Sequence, residues 1–168
     1  MFLLLVVAGN ETTRQSIAHG MLALIEHPET MERLRDDLSL MPTATDEIMR
    51  WASPVLHFRR TATKDVQLNN AHIKEGEKVI MWYVSSNRDE EKFDDADRFD
   101  VRREPNEHQA FGAGGRHYCL GTALARLELN ILLEETLKRF PQMEMAGTPE
   151  HVEAQFVNQL RSLPVRLH

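Results

Sequence analysis

The sequence predicts a mainly α-helical protein with a small antiparallel β part. Apolar residues recur at helical spacing in two long stretches, Phe2 to Glu26 and Leu120 to Phe140. Between them, from Val55 to Val84, β-branched and aromatic residues alternate with polar ones, as is typical of strands. The 168 residues, 42% of them hydrophobic, suffice to bury one core, so we expect residues 1–168 to belong to a single domain.

The first helix should run from Phe2 to Glu26 and end before Pro28, because proline cannot continue a helix. A second helix is expected over about residues 29–38, and a short third helix should end near Trp51, ahead of a Ser-Pro pair.

The apolar run from Met1 to Gly9 has no basic segment ahead of it and is too short to span a bilayer. We therefore expect a buried helix without stable membrane insertion. Because nothing precedes the run to cover it, we also expect that an N-terminal part of the domain is absent.

Turn signals at Asn69-Asn70 and Glu75-Gly76 divide residues 55–84 into the strands of a small antiparallel sheet. Residues 88–116 contain few apolar side chains and several glycines, which predicts a long ordered loop. The tail, from Phe156 onward, is expected to form a last hairpin.

The final helix should begin near Leu120 and end at Phe140, because Pro141 follows. One set of its apolar residues recurs at helical spacing, and we expect that face to be buried. The set comprises Leu120, Leu124, Leu127 and Ile131.

Charge and cysteine content argue against a nucleic-acid-binding protein and against a protein stabilised by internal disulfides. With 20 basic and 26 acidic side chains the net charge is -6, which disfavours binding to nucleic acid because phosphates require a basic face. The single cysteine cannot form an internal disulfide, which fits a reducing cytoplasm. We therefore expect a cytoplasmic protein without a nucleic-acid partner.

That cysteine, Cys119, lies in a glycine-rich stretch from Phe111 to Gly121, just ahead of the last predicted helix. Unpaired N–H groups and the positive end of the helix dipole stabilise a thiolate at such a position, as a metal-bound sulfur requires. The glycines let the backbone approach a large planar partner closely.

Other interpretations of this stretch remain open from the residues alone. A dinucleotide-binding loop would need a third glycine at the position of His117. A zinc site would need more ligands than one cysteine and scattered histidines supply. Cys119 and His117 could form a nucleophile pair, although no third orienting residue is identifiable. A lone cysteine can also be a small buried apolar residue.

The stretch closely resembles the haem-thiolate loop of the cytochromes P450, in which phenylalanine, glycines, a basic residue, cysteine and glycine recur in that order. One extra residue separates Phe111 from Cys119 relative to the commonest spacing, which leaves open whether Arg116 or His117 faces the haem propionates. The resemblance implies haem b, iron protoporphyrin IX, with Cys119 as the metal ligand. The loop residues that it implies in cofactor binding are Phe111, Gly112, Arg116, His117, Cys119 and Gly121.

A polar cluster, Ala8 to Thr13, interrupts the otherwise apolar first helix. A kink or a solvent-facing patch would explain it on structural grounds alone. The resemblance implies instead the oxygen-activation segment, in which Ala8 and Gly9 open the helix beside the haem. Glu11 and Thr12 then form the catalytic acid–alcohol pair, because a hydroxyl backed by a carboxylate can relay protons.

Other residues match the family in the expected order. Glu47 and Arg50 stand three residues apart, a spacing that an exposed ion pair would also show. The resemblance makes them a buried structural pair joined by Arg98. It also implies that Arg60 and His108 bind the haem propionates, since carboxylates pair well with such groups.

The implied function is that of a monooxygenase, of which this chain is the C-terminal haem-binding part. The long oxygen-side helix, the short Glu-x-x-Arg helix, the sheet, the cysteine loop and the helix after it then follow the cytochrome P450 fold. O2 is the co-substrate, and one of its atoms enters a C–H bond of a lipophilic substrate, with sterols and branched lipids as candidates. The substrate pocket implied by the resemblance is apolar and comprises Val6, Val7, Val55, Leu56, Phe58, Phe156 and Val157.

Electrons are expected from a ferredoxin or a similar donor that docks near the cysteine loop, where basic residues could meet an acidic partner. These residues are Arg102, Arg103, Arg116 and Arg126. Two alternatives remain: a truncated, non-catalytic remnant or partner module without haem, and a Cys–His hydrolase.

Overall fold

The computed structural model describes residues 2–168 and confirms a mainly α architecture with small antiparallel sheets. The helices are α1 (Phe2–Glu26), α2 (Pro28–Asp36), α3 (Met41–Ala52), α4 (Tyr83–Ser86) and α5 (Thr122–Arg139), with 3-10 turns at Leu38–Leu40 and Gly115–His117. The strands are β1 (His57–Thr61), β2 (Val66–Leu68), β3 (Ala71–Ile73), β4 (Lys78–Trp82), β5 (Met143–Met145), β6 (Glu150–His151), β7 (Leu160–Ser162) and β8 (Val165–Leu167).

The strands pair in twos, β1 with β4, β2 with β3, β5 with β8 and β6 with β7, all antiparallel. The prediction of a last hairpin was wrong, because β7 and β8 each pair with an earlier strand. Between them, the carbonyl of Pro164 accepts a hydrogen bond from Ala146 N at 2.9 Å, so the connection is tied to the β5 side and does not fold back.

The core lies where α1, α2, α3 and α5 pack together. The first helix approaches α3 closely at Gly20, where a Cβ atom would lie 2.7 Å from Cγ2 of Ile48. Glycine is therefore required for the crossing of these two helices. The fully buried residues of the core include Leu24, Leu34, Ile48, Leu129, Leu133 and Leu137.

The buried face of α5 is not the predicted one. Leu120 is 83% exposed, and Leu124, Leu127 and Ile131 are also exposed, whereas Leu129 is fully buried. At about 100° per residue, Leu129 lies about 160° around the helix from Leu127, close to the opposite side. Because α5 carries apolar side chains on both sides, periodicity alone could not choose the face that packs.

The first half of α1 is exposed, which contradicts the expectation of a buried helix. The side chains of Phe2, Leu3, Leu5, Val6 and Val7 are accessible to solvent, while Met1 lies outside the described residues. Among the described side chains of α1, the buried ones begin at Gln15. Within residues 2–168, no helix combines the length and apolarity that a membrane crossing requires.

Candidate functional site

The loop from Phe111 to Cys119 is shaped by glycines and closed by one backbone hydrogen bond. Gly112, Gly114 and Gly115 have φ values of 85°, 92° and 75°, in the left-handed region that favours glycine. Cys119 N donates to Phe111 O at 3.0 Å, which brings the two ends of the loop together.

Cys119 is exposed and carries a free thiol. It lies just before α5, whose N-cap is Gly121, and its carbonyl accepts a hydrogen bond from Thr122 Oγ1 at 2.7 Å. The sulfur is therefore not buried among aliphatic groups. The thiol thus stands next to the N-terminal end of an 18-residue helix, where backbone N–H groups have no partner within the helix and the positive end of the helix dipole lies.

A cleft of about 570 Å³ lies between the β1–β4 sheet and the cysteine loop. Arg60 and Met81 line it from the sheet, and Gly112, Gly114 and His117 line it from the loop. Within residues 2–168, the guanidinium of Arg60 donates only to the carbonyl of neighbouring Arg59. Two groups capable of binding carboxylates, Arg60 and His117, thus share one cleft.

Arg116 lies beside His117 in the chain and is exposed, but it is not among the residues that line the cleft. Of the two candidates for the basic position, His117 is therefore the one that shares a surface with Arg60.

His108 has a different place from the one expected. Its ring is buried, its Nδ1 accepts from Ala110 N at 3.2 Å, and its Nε2 lies 3.3 Å from Oδ1 of Asp46. Because Nδ1 is an acceptor, Nε2 carries the hydrogen and donates to the carboxylate. The ring is occupied on both sides by the protein, so the expectation that it binds a propionate is corrected to a role in holding the loop.

Asp46 links the loop to α3. Arg126 Nε donates to its Oδ1 at 2.7 Å, and the Arg126 guanidinium lies 4.8 Å from the centre of the Phe111 ring. Burial raises the pKa of Asp46, but the hydrogen bonds from His108 and Arg126 lower it by more, so it lies below its ordinary value. Phe111 is buried, and both the His108 ring and this guanidinium lie next to its ring.

The polar cluster of α1 is half-buried at Glu11 and Thr12, and open at Gly9, where an added Cβ would meet nothing within 4 Å. Thr12 Oγ1 donates to Ala8 O at 2.7 Å, which leaves the oxygen able to accept. The Glu11 carboxylate accepts hydrogen bonds from Arg14, Gln15 and Gln159. Arg14 first, and then Gln15, hold the pKa of Glu11 below its ordinary value.

Glu47 and Arg50 form the buried pair that was expected, and both side chains are 0% exposed. Arg50 Nε and Nη2 donate to the two carboxylate oxygens at 2.8 Å each. The remaining donors of Arg50 reach the carbonyls of Asn87 at 2.6 Å, Ala96 at 2.8 Å and Arg98 at 3.0 Å.

Arg98 therefore contributes its carbonyl, and the expectation that its side chain joins the pair was wrong. Arg103 does so instead, with Nε 3.2 Å from Glu47 Oε2, and Asn106 Nδ2 donates to the same oxygen at 3.0 Å. The Arg98 side chain is on an exposed position of the loop, whereas Arg103 is half-buried beside the carboxylate.

The chain segments of the expected pocket lie side by side. Val55 and Val157 form an isolated β-bridge, and Leu56 N donates to Phe156 O at 2.9 Å. The Phe58 and Phe156 rings are 5.3 Å apart in an edge-to-face arrangement. The two remaining residues, Val6 and Val7, lie on the exposed first half of α1.

Sequence reasoning gave Arg103 a different role and missed the other residues that support the site, namely Asp46, Asn106, Gln15 and Gln159. Only Gln15 gave a signal, because it stands four residues after Glu11 in the same helix. The others reach their partners across the fold, which spacing along the chain does not encode.

The residues of the cleft and of the cysteine loop together fit haem b; Cys119 belongs to the loop and is not among the residues that line the cleft. A thiol at a helix N-terminus is a suitable iron ligand, Arg60 and His117 can pair with two carboxylates, and Gly114 and Gly115 leave open space for a flat ring. In the described part of the chain, no group of three or more His, Cys, Asp or Glu side chains is arranged to hold a metal ion, so a zinc site gains no support.

Residues 2–163 match the family described as Cytochrome P450. The methyl-branched lipid omega-hydroxylase of Mycobacterium tuberculosis strain H37Rv is 48% identical over 165 residues, which are 98% of this chain and 39% of that protein. The steroid C26-monooxygenase of Mycolicibacterium smegmatis is 43% identical over 158 residues, 94% of this chain and 36% of that protein.

Solved structures agree in fold. A Mycobacterium marinum cytochrome P450 in complex with pseudoionone superposes with a TM-score of 0.95 at 45% identity, over 98% of this chain and 40% of that one. A Bacillus megaterium cytochrome P450 in complex with testosterone gives 0.94 at 40% identity, over 98% and 46% of the two chains. The chain thus spans about 36–46% of the length of these relatives.

Proposed function

This chain belongs to the cytochrome P450 family, and from that membership we propose that it is the haem-thiolate part of a monooxygenase, which inserts one atom of O2 into a C–H bond of a lipophilic substrate. The observation that carries the proposal is the exposed Cys119 at the start of α5, in a glycine loop that lines a cleft with Arg60.

Haem b, when bound, supplies iron at which O2 is bound and reductively activated. Cys119 would bind the iron as a thiolate, stabilised by the N-terminus of α5. Arg60 and His117 would bind the propionates, and the glycines at 112, 114 and 115 would let the loop backbone approach the haem closely.

Glu11 and Thr12 deliver protons to the oxygen side. The Thr12 hydroxyl donates a hydrogen bond to Ala8 O and can accept a hydrogen bond from a water molecule. The neighbouring ionised Glu11 can take up protons from solvent. Ala8 and Gly9 leave this part of α1 open.

The apolar side chains of the two neighbouring segments support a lipophilic substrate, because the segments are joined by the Val55–Val157 bridge and by the contact between the Phe58 and Phe156 rings. Relatives named for methyl-branched lipid and steroid oxidation favour a sterol or branched lipid as the class. Val6 and Val7 join these segments only if α1 approaches them in the assembled enzyme.

A ferredoxin-like donor remains the proposed partner, on a smaller set of arginines than expected. Arg103 is bound to Glu47 and to the carbonyls of Asp94, Asp95 and Arg98, and Arg126 is paired with Asp46. Arg102 and Arg116 are exposed. Charge reversal at Arg116 should slow reduction by ferredoxin and leave reduction by dithionite unchanged.

We also infer that the chain is cytoplasmic and that residues 1–168 form one partial domain. A cytoplasmic site is supported by the single free cysteine. The exposed apolar half of α1 supports the view that residues 1–168 are one partial domain.

Titration of the purified chain with haem tests the proposal. We expect a stoichiometric complex whose reduced, carbon monoxide-bound form has the absorption band of thiolate ligation. Cys119→Ala should lose that band, whereas His72→Ala, a change at an exposed histidine of β3, should keep it.

The alternative is a non-catalytic remnant or partner module, which predicts no haem uptake by any of these variants. Thiol-dependent ester cleavage without haem would favour the Cys–His hydrolase.

If haem binds, incubation with a sterol or a methyl-branched fatty acid, an electron donor and 18O2 tests the activity. The expected product carries one labelled oxygen per molecule, and absence of label would contradict a monooxygenase.

A further inference from the structure

The carboxylate of Glu11 is held asymmetrically. Its Oε1 accepts from Arg14 Nη2 at 2.6 Å, Gln15 Nε2 at 2.8 Å and Gln159 Nε2 at 3.1 Å. Its Oε2 accepts from Arg14 alone among the described residues, at 2.7 Å. One oxygen is thus fixed by two neutral amides, and the other depends on one guanidinium.

The two amides connect α1 to the C-terminal part of the chain. Gln15 is only 2% exposed, its Nε2 also donates to Leu160 O at 3.3 Å, and its Oε1 accepts from Leu160 N at 2.8 Å. Gln159 is the residue just before β7. The position of Glu11 is therefore set by β7 as well as by its own helix.

The guanidinium differs from the amides in its freedom to move. The Arg14 side chain is 64% exposed, and exposed ion pairs are weak because water competes for both partners. When Arg14 swings into solvent, Oε1 keeps its amide donors and only Oε2 loses its partner. A proton entering from solvent is then accepted at Oε2, because Oε1 is already occupied by donors.

We propose that Gln15 and Gln159 are positioning residues for proton delivery, which fix Glu11 Oε1 against β7 so that Oε2 is the oxygen that exchanges protons. The inference rests on the proposed function, in which Glu11 and Thr12 deliver protons to the oxygen side. It assigns a role in proton delivery to Gln159, which is far from α1 in the sequence.

Gln159→Leu is the informative variant. The Gln159 side chain donates to Glu11, whereas its carbonyl pairs with Val152 N through the backbone, which the substitution leaves in place. Gln155→Leu is the matched control, because Gln155 is an exposed glutamine of the same segment. Gln15 is less suitable, since its loss would also break both bonds to Leu160.

The first readout needs no haem. In a chain labelled with ¹³C at glutamate carboxyls, the titration midpoint of Glu11 should rise in Gln159→Leu, because a donor to the ionised form is lost, and stay unchanged in Gln155→Leu. An unchanged midpoint in Gln159→Leu would overturn the proposal.

The second readout distinguishes a role of Gln159 in proton delivery from a contact that only stabilises the fold. In the haem-loaded protein, the ratio of hydrogen peroxide released to product formed should rise severalfold in Gln159→Leu and not in the control. A raised titration midpoint of Glu11 with an unchanged ratio of peroxide to product would contradict the proposal, because the contact between Gln159 and Glu11 would then be structural only. Failure of the unmodified chain to bind haem would refute the proposed function instead, while the titration still decides whether Gln159 acts on the Glu11 carboxylate.

Discussion

Replacement of Arg50 by methionine is the most demanding test of the fold around the site. The side chain is fully buried and satisfies both oxygens of Glu47 and the carbonyls of Asn87, Ala96 and Arg98. Methionine keeps much of the apolar stem and removes every one of these hydrogen bonds. The variant therefore leaves a buried carboxylate with Arg103 as its remaining cationic partner.

Removing one partner of a buried ion pair costs about 3–5 kcal/mol, because the other charge stays buried with fewer partners; here Glu47 keeps Arg103 and Asn106. Small domains have a free energy of unfolding of about 5–15 kcal/mol, so the variant should lose a large share of it. With an m value of about 2 kcal/mol/M, a loss of about 4 kcal/mol lowers the urea midpoint by about 2 M.

Urea unfolding followed by far-UV circular dichroism measures this loss. Arg139→Met is the matched control, because Arg139 makes an exposed ion pair with Glu135, and such pairs contribute about 0–1 kcal/mol. Equal midpoints for the Arg50 and Arg139 variants would refute the reasoning, since burial would then make no difference.

Two further changes test the packing of α5 and the link between loop and α3. Leu133→Ala should lower the free energy of unfolding by about 2–5 kcal/mol, as measured by urea unfolding. Leu124→Ala, on the exposed face, should lower it by at most about 0.5 kcal/mol. A larger loss in Leu124→Ala than in Leu133→Ala would contradict the assignment of the buried face. Asp46 has a pKa below its ordinary value of 3.8, so its ionised form stabilises the fold above that value, and the contribution is lost as the pH falls through the lower, folded-state pKa. The difference in urea midpoint between the unmodified chain and Asp46→Asn should therefore be largest near neutral pH and narrow below pH 3.8; a difference that grows on acidification would contradict this sign.

Features that depend on local chemistry could be predicted from the sequence. The end of α1 at Glu26 follows from Pro28, and the helix after the cysteine loop follows from its apolar repeat. The Glu47–Arg50 pair could be recognised because its partners lie within one turn of the same helix.

Features that depend on contacts between residues far apart in the chain could not be predicted from the sequence. Arg98 and Arg103 stand in the same loop with the same side chain, and only the path of the backbone decides that Arg103 reaches Glu47. His108 offered a plausible propionate ligand by type, but Asp46, from another element, takes its Nε2. The face of α5 that packs is likewise chosen by its neighbours, since both faces are apolar.

X-ray absorption at the iron edge of the haem-loaded chain measures the bond on which the functional proposal depends. The expected result is a sulfur atom in the first coordination shell of the iron, absent in Cys119→Ala and retained in His117→Ala. An iron surrounded only by nitrogen and oxygen in the unmodified chain would contradict haem-thiolate binding at Cys119.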